Sequence, residues 1–262
     1  MKHIRTLIAK EWAEVFKNRI VIFTVSALPL LMALLPLGIL LSTGGAMSME
    51  GDVSDLPPSM LKACGAIAVG DCFQIFLLNQ FLPLFMMMPL FIPIAIASYS
   101  IVGEKTTRSL EPLLATPITT EELLAGKALA AVIPAVLATW ASFAVFLIGL
   151  PLVGASGPAL LTALSPTWFA ATFLVGPLVA VLAVIFALMV SSRVNDPRTA
   201  EQISGALVVP VLGLTFAQLA GVLVLNVPLM LTVAAGVAVI DVVLVFFGAR
   251  LFQREVILTR WK

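Results

Sequence analysis

Six stretches of the chain run for about 18 residues or more almost without charge, and each is bounded by charged residues or by a break rich in proline and glycine. They fall at approximately 20–42, 73–102, 128–150, 167–190, 203–225 and 228–249. The second is most apolar over 81–97 and is bracketed by Asp71 and Glu104. The sixth holds one acid, Asp241. Continuous runs of this length predict membrane-spanning α-helices. A β-barrel needs alternating segments of about ten residues. The first run is too long for the core of a secretory leader and lacks a convincing small-residue cleavage site, so it reads as a mature helix. The expected architecture is an all-α integral membrane domain of six transmembrane helices over 20–250, followed by a tail at 251–262.

Residues 1–19 carry a different period. Ile4, Leu7, Ile8, Trp12, Val15 and Phe16 recur at helical spacing, with Lys2, Arg5, Lys10, Glu14 and Lys17 mostly between them. This predicts an amphipathic helix in the plane of the interface; a plain anchor for the first crossing fits the same pattern.

Composition agrees. The chain of 262 residues is 61% hydrophobic and 11% charged, with a net charge of +1 and a mean hydropathy of +1.12. Ordinary soluble domains are roughly 45–50% apolar and about 25% charged. Soluble enzymes and disordered proteins are excluded, and nothing offers the broad basic face that nucleic acid requires. Of the 15 basic residues, 14 fall on one side of a six-helix topology, together with both termini; only Lys62 falls outside, beside Glu50, Asp52, Asp55 and Asp71. By the positive-inside rule both termini are expected in the cytoplasm, with the protein multi-pass in the cell membrane, plasma or inner.

The loops add candidate chemistry. The longest outer loop, about 43–71, is broken by Gly44, Gly45, Pro57 and Pro58, with a short surface helix possible over 58–68. Cys64 and Cys72 lie near this face; an oxidising compartment permits a disulfide, and two small apolar residues is the other reading. His3 is the sole histidine, so no metal-ligand spacing arises.

On the cytoplasmic side, Ser109 can cap a short helix with Pro112 in its first turn, and Pro117 stops it within about two turns. Thr119 and Glu122 then form a capping box that opens the third crossing. The stub between presents Leu110, Leu113 and Leu114 on one face, beside Arg108 and Glu111. That suits docking of a soluble partner. Between the fourth and fifth crossings, Asp196 can cap a helix with Pro197 at its first position, giving Asp196 and Arg198 as a second contact.

The run from Glu104 to Lys127, EKTTRSLEPLLATPITTEELLAGK, resembles the signature loop of ABC-2 type transporter permeases. The topology resembles theirs over the whole chain. The resemblance implies a type V exporter fold in which Ser109–Thr116 is a coupling helix seated in a groove of a separate cytosolic ABC ATPase. Glu104, Arg108, Ser109, Leu110, Glu111, Leu113, Leu114, Thr116 and Pro117 are then the coupling residues. The chain has no GxxxxGK[ST] phosphate loop, because Gly126-Lys127 lacks both the upstream glycine and the following hydroxyl. The chain is therefore expected to be no enzyme and to hold no cofactor, ATP and Mg²⁺ being bound in the partner ATPase. Other expected partners are a second permease subunit, identical or not, and membrane lipids, with no nucleic acid.

The resemblance places the pathway between two permeases, lined by the second and fifth helices. Gln74, Asn79, Gln80, Met86 and Met87 are the candidates in the second, amid Pro83, Pro89 and Pro93. Thr215, Phe216 and Gln218 are those in the fifth. Prolines bend membrane helices and methionines adapt to varied ligands, which suits an amphipathic or lipid-like substrate. Asp241 reads either as a proton or cation site, or as a structural hydrogen bond to a neighbouring helix or a neutral acid. Two other functions fit parts of the pattern: a secondary transporter driven through Asp241, and a non-transporting anchor for a cytosolic partner.

Overall fold

A computed structural model describes residues 2–17, 19–44, 68–106 and 119–251. Among them every regular element is a helix. In chain order these are α1 (Lys2–Val15), α2 (Arg19–Gly44), α3 (Val69–Phe85), α4 (Met88–Thr106), α5 (Thr120–Leu152), α6 (Gly157–Ala163), α7 (Pro166–Phe169), a π-helical turn (Ala170–Val175), α8 (Gly176–Arg193), α9 (Pro197–Gly205), α10 (Val208–Leu219) and α11 (Val227–Leu251). Among the described residues six helical stretches are long and apolar enough to cross a membrane: Val25–Ser42, Val69–Glu104, Glu121–Leu152, Gly157–Arg193, Pro197–Leu219 and Val227–Gly248.

The crossings are less uniform than the hydrophobic runs imply. The second breaks at Met86–Met87, where α3 ends and α4 begins. Pro89 and Pro83 lie on either side of the break, and a proline cannot donate to the helical ladder. The fourth begins with α6 and α7 and passes through the π turn. The fifth is α9 and α10 with a kink at Ala206–Leu207. It stops at Leu219, six residues before the expected end at 225, because Gly221 turns the chain with φ of 69°. Asn226 then caps α11, its Oδ1 accepting from Leu229 N at 2.9 Å.

Packing is concentrated in the second and fourth crossings, with α8 against α4 the most extensive contact. Phe85, Phe143, Phe146 and Trp168 interlock there, with Trp168 stacked on Phe143 and Phe146 at 5.9 and 5.3 Å. The π turn faces the Met86–Met87 break, and the gap left between them is only about 10 Å³. One turn from the end of the second crossing, Ser191 inserts its hydroxyl into the ladder of α4. It accepts from Val102 N at 3.2 Å and donates to Ser98 O at 2.8 Å, which pins the fourth crossing to the second. At the other extreme, the most apolar window of the second crossing is 78% buried and that of the fifth is 11% buried.

Candidate functional site

The signature loop leaves α4 and re-enters at α5, so its two ends are fixed by the last turn of one helix and the first turns of the other. Thr119 caps α5 as its spacing predicts. Its side chain accepts from Glu122 N at 3.2 Å, and the Glu122 carboxylate accepts from Thr119 N at 3.3 Å.

Below that cap lies a buried ionic hub. Lys127, on the second turn of α5, is 3% exposed. Its ammonium donates to Glu11 Oε1 at 2.7 Å and to Ser100 Oγ at 2.9 Å, and sits 3.0 Å from Glu104 Oε1. The Ser100 carbonyl lies at 3.2 Å. Glu11 comes from α1, Ser100 and Glu104 from α4. Ser100 also donates to Glu11 Oε2 at 3.2 Å. Lys10 closes the set from the rim, with its ammonium 2.9 Å from Glu104 Oε1 and 3.7 Å from Glu14. Two lysines face two buried glutamates, so the hub is neutral overall. A buried charge is tolerable only when paired and hydrogen-bonded, as Lys127 is here. Partial burial lowers the Lys10 pKa, but the hydrogen bond to Glu104 and the charges of Glu104, Glu14 and Glu11 outweigh it. The ammonium is held above its ordinary 10.5.

The residues beside the hub bring the helices close enough for this. A Cβ on Gly126 would collide with the Leu7 side chain, so the glycine lets α1 lie directly on α5. Leu7 is buried in the contact. One turn further on, the Trp12 indole donates to Ala130 O at 2.9 Å. The Gly-Lys pair that closes the signature run thus has two structural tasks: Gly126 admits α1, and Lys127 binds it to α4.

The hub is what sequence reasoning missed. Lys127 and Lys10 counted there as cytoplasmic charges and Glu104 as a coupling residue of the loop; none of the three was seen as part of a buried cluster. One signal was available. Glu11 falls inside the stripe Ile4, Leu7, Ile8, Trp12, Val15, where an acid has no place on an apolar face unless a cation meets it.

Arg108, Ser109, Leu110, Glu111, Leu113, Leu114, Thr116 and Pro117 lie outside the described residues, as do Cys64, most of the expected helix over 58–68, and tail residues 252–262. Cys72 is buried on α3. Asp196 caps α9, accepting from Thr199 N at 3.0 Å and Thr199 Oγ1 at 3.1 Å, with Pro197 at the first position. Arg198 is exposed beside it.

The pathway candidates divide. Gln218 donates from Nε2 to Asn79 O at 2.8 Å, joining α10 to α3. Gln74 Oε1 accepts from Ser156 N at 2.9 Å and so fastens the loop before α6. Thr215 donates to Val211 O within its own helix. Gln80 is half-buried and its Oε1 lacks a partner. Met86 is buried and Met87 half-buried at the helix break, and Phe216 is 66% exposed. Asp241 is 6% exposed, and neither of its carboxylate oxygens has a hydrogen-bond partner among the described residues.

Comparison with known families supplies the deciding observation. The profile described as ABC-2 family transporter protein matches residues 5–233, from α1 into the sixth crossing. The chain belongs to the ABC-2 transporter family. It is a multi-pass membrane protein and an ABC permease. Permeases of this family are typically non-catalytic membrane subunits, and membership implies partnership with an ABC ATPase. Among curated proteins none matches the chain.

Proposed function

We propose that this permease is the membrane half of an ATP-driven exporter. Two copies, or this chain and a homologue, pair with two cytosolic ATPase subunits, which bind ATP and Mg²⁺. The observation that supports this best is the ionic hub. A remote motor can move a membrane bundle only through a rigid mount. The hub ties both ends of the 107–118 loop to α1, so a displacement of that loop is delivered to α1, α4 and α5 together. Residues 109–116 form the coupling helix, and Asp196 with Arg198 offers a second contact on the same side. Both termini are cytoplasmic in the cell membrane, with α1 lying in the interface.

The subunits pair through the fifth crossing. Val209, Leu212, Phe216 and Leu219 are exposed on α10, and its link to α3 through Gln218 puts the second crossing at the same seam. Alternating exposure of that seam carries an amphipathic substrate outward.

Co-purification tests the assignment. The tagged chain is expected to bring down a P-loop ATPase subunit in fixed ratio, and Leu113→Asp is expected to lose it while the chain keeps its melting temperature. Retention of the ATPase by Leu113→Asp sinks the docking assignment.

A further inference from the structure

The corner between α1 and α2 carries two cations that no described residue neutralises. Lys17 stands in the turn that closes α1, its N–H donating to Glu14 O at 3.2 Å, and Arg19 is the first residue of α2. Both are exposed. Neither has an ion pair among the described residues. Glu14, the acid closest to them in sequence, lies 3.7 Å from Lys10, and the first turn of α2 holds no acid.

Helix length sets the depth of this corner. The 26 residues of α2 extend about 39 Å, against about 30 Å for the hydrocarbon core of a bilayer, so the ends of the helix project into the headgroup layer. The uncharged run begins directly after Arg19. Its guanidinium is thus at the hydrocarbon boundary, within reach of lipid phosphates. Phe23 follows at i+4 on the same face, one turn deeper, and is 70% exposed. Leu30 and Leu34, both exposed, continue the stripe toward the middle of the crossing.

We propose that this corner binds an anionic phospholipid, with its phosphate between Lys17 and Arg19 and an acyl chain along Phe23, Leu30 and Leu34. Charge selects the headgroup. A zwitterionic lipid brings its own cation, which competes with the two side chains for the phosphate, whereas a lipid of net negative charge leaves the phosphate to them. The stripe selects a lipid over a soluble phosphate, because only a lipid covers exposed hydrocarbon below the charges. The hub holds α1 to α4 and α5 through Glu11; the lipid holds the far end of α1 to the bilayer. The proposal rests on α2 crossing the membrane and is independent of any ATPase.

The test is native mass spectrometry of the purified full chain, released from micelles titrated with phosphatidylglycerol or with phosphatidylcholine of the same acyl chains. Saturable binding of phosphatidylglycerol is expected, with a preference over phosphatidylcholine of roughly fivefold for each of the two cations. Lys17→Gln or Arg19→Gln loses about fivefold of that preference and the double variant abolishes it, with the melting temperature unchanged. Phe23→Ser weakens both lipids alike. Arg5→Gln serves as the control: Arg5 is exposed on α1, about 18 Å along the helix from Lys17 and beyond the screening length at ordinary salt, so the preference stays intact. Excess glycerol phosphate does not displace the lipid. Equal affinity for the two lipids, a preference kept by the double variant or lost equally in Arg5→Gln, or displacement by glycerol phosphate overturns the proposal.

Discussion

Two places among the described residues hold acids out of water, and they are built in opposite ways. At the cytoplasmic end expected for the second and third crossings, Glu11 and Glu104 share Lys127 within 3.0 Å, with Ser100 completing the set. In the sixth crossing Asp241 has neither cation nor donor among the described residues. The first arrangement is closed: the charges of three helices neutralise one another, and the outcome is a fixed geometry. The second is unpaired among the described residues, and its two oxygens are shut away from the surface. A buried acid is thus part of the scaffold where the fold supplies its partner, and a costly exception in a crossing where no described residue does.

Removing the central cation is the severest way to break this contrast. Lys127→Met leaves Glu11 without a cation and Glu104 with Lys10 alone, and loss of one partner of a buried pair typically costs about 3–5 kcal/mol. Thermal unfolding in detergent is expected to show a large drop, with α1 released to proteolysis. Asp241→Asn, at an equally buried acid, is expected to leave the stability within about 1 kcal/mol of wild type, since no described partner is orphaned. Equal losses from the two variants erase the distinction between paired and unpaired acids.

Smaller perturbations sharpen the description of the hub. Gly126→Ala forces Leu7 away from α5, an overpacking change of about 1–3 kcal/mol read in the same melt. Thr119→Ala removes the capping box at about 1 kcal/mol and leaves the hub intact. Lys10→Met, at the half-exposed rim, should cost no more than about 1 kcal/mol. Its pH signature is specific. Because the folded pKa of Lys10 is raised, its contribution is complete below the ordinary value of 10.5 and is lost as pH rises through the higher folded value. Wild type and Lys10→Met should therefore converge in stability above that range. Curves that stay parallel contradict the Lys10–Glu104 pair.

Much of the fold was legible because the bilayer simplifies the code: a long uncharged run has few alternatives to a spanning helix. Local signals with a strict chemical period were also readable, such as the Thr119–Glu122 box and the Asp196-Pro197 cap. The break at Met86–Met87 and the π turn were not. Both answer to packing between crossings far apart in sequence, the prolines hinting only that some bend was needed. The hub stayed hidden for the same reason: Lys127 meets Glu11 across 116 residues, and nothing near Lys127 distinguishes it from a solvated loop lysine. Asp241 was visible as an anomaly, but its burial without a partner among the described residues emerged only from the structure.

The central claim is that the loop mounted on the hub grips a cytosolic motor. The most direct measurement places a cysteine at Leu113 (Leu113→Cys) in a chain whose two native cysteines are replaced by serine, and cross-links it in native membranes with a short bifunctional maleimide. The account predicts a single adduct of the permease with an ABC ATPase subunit, together with no labelling of Thr107→Cys by an impermeant reagent from outside intact cells. Labelling of Thr107→Cys from outside, with no ATPase adduct at Leu113→Cys, would contradict it.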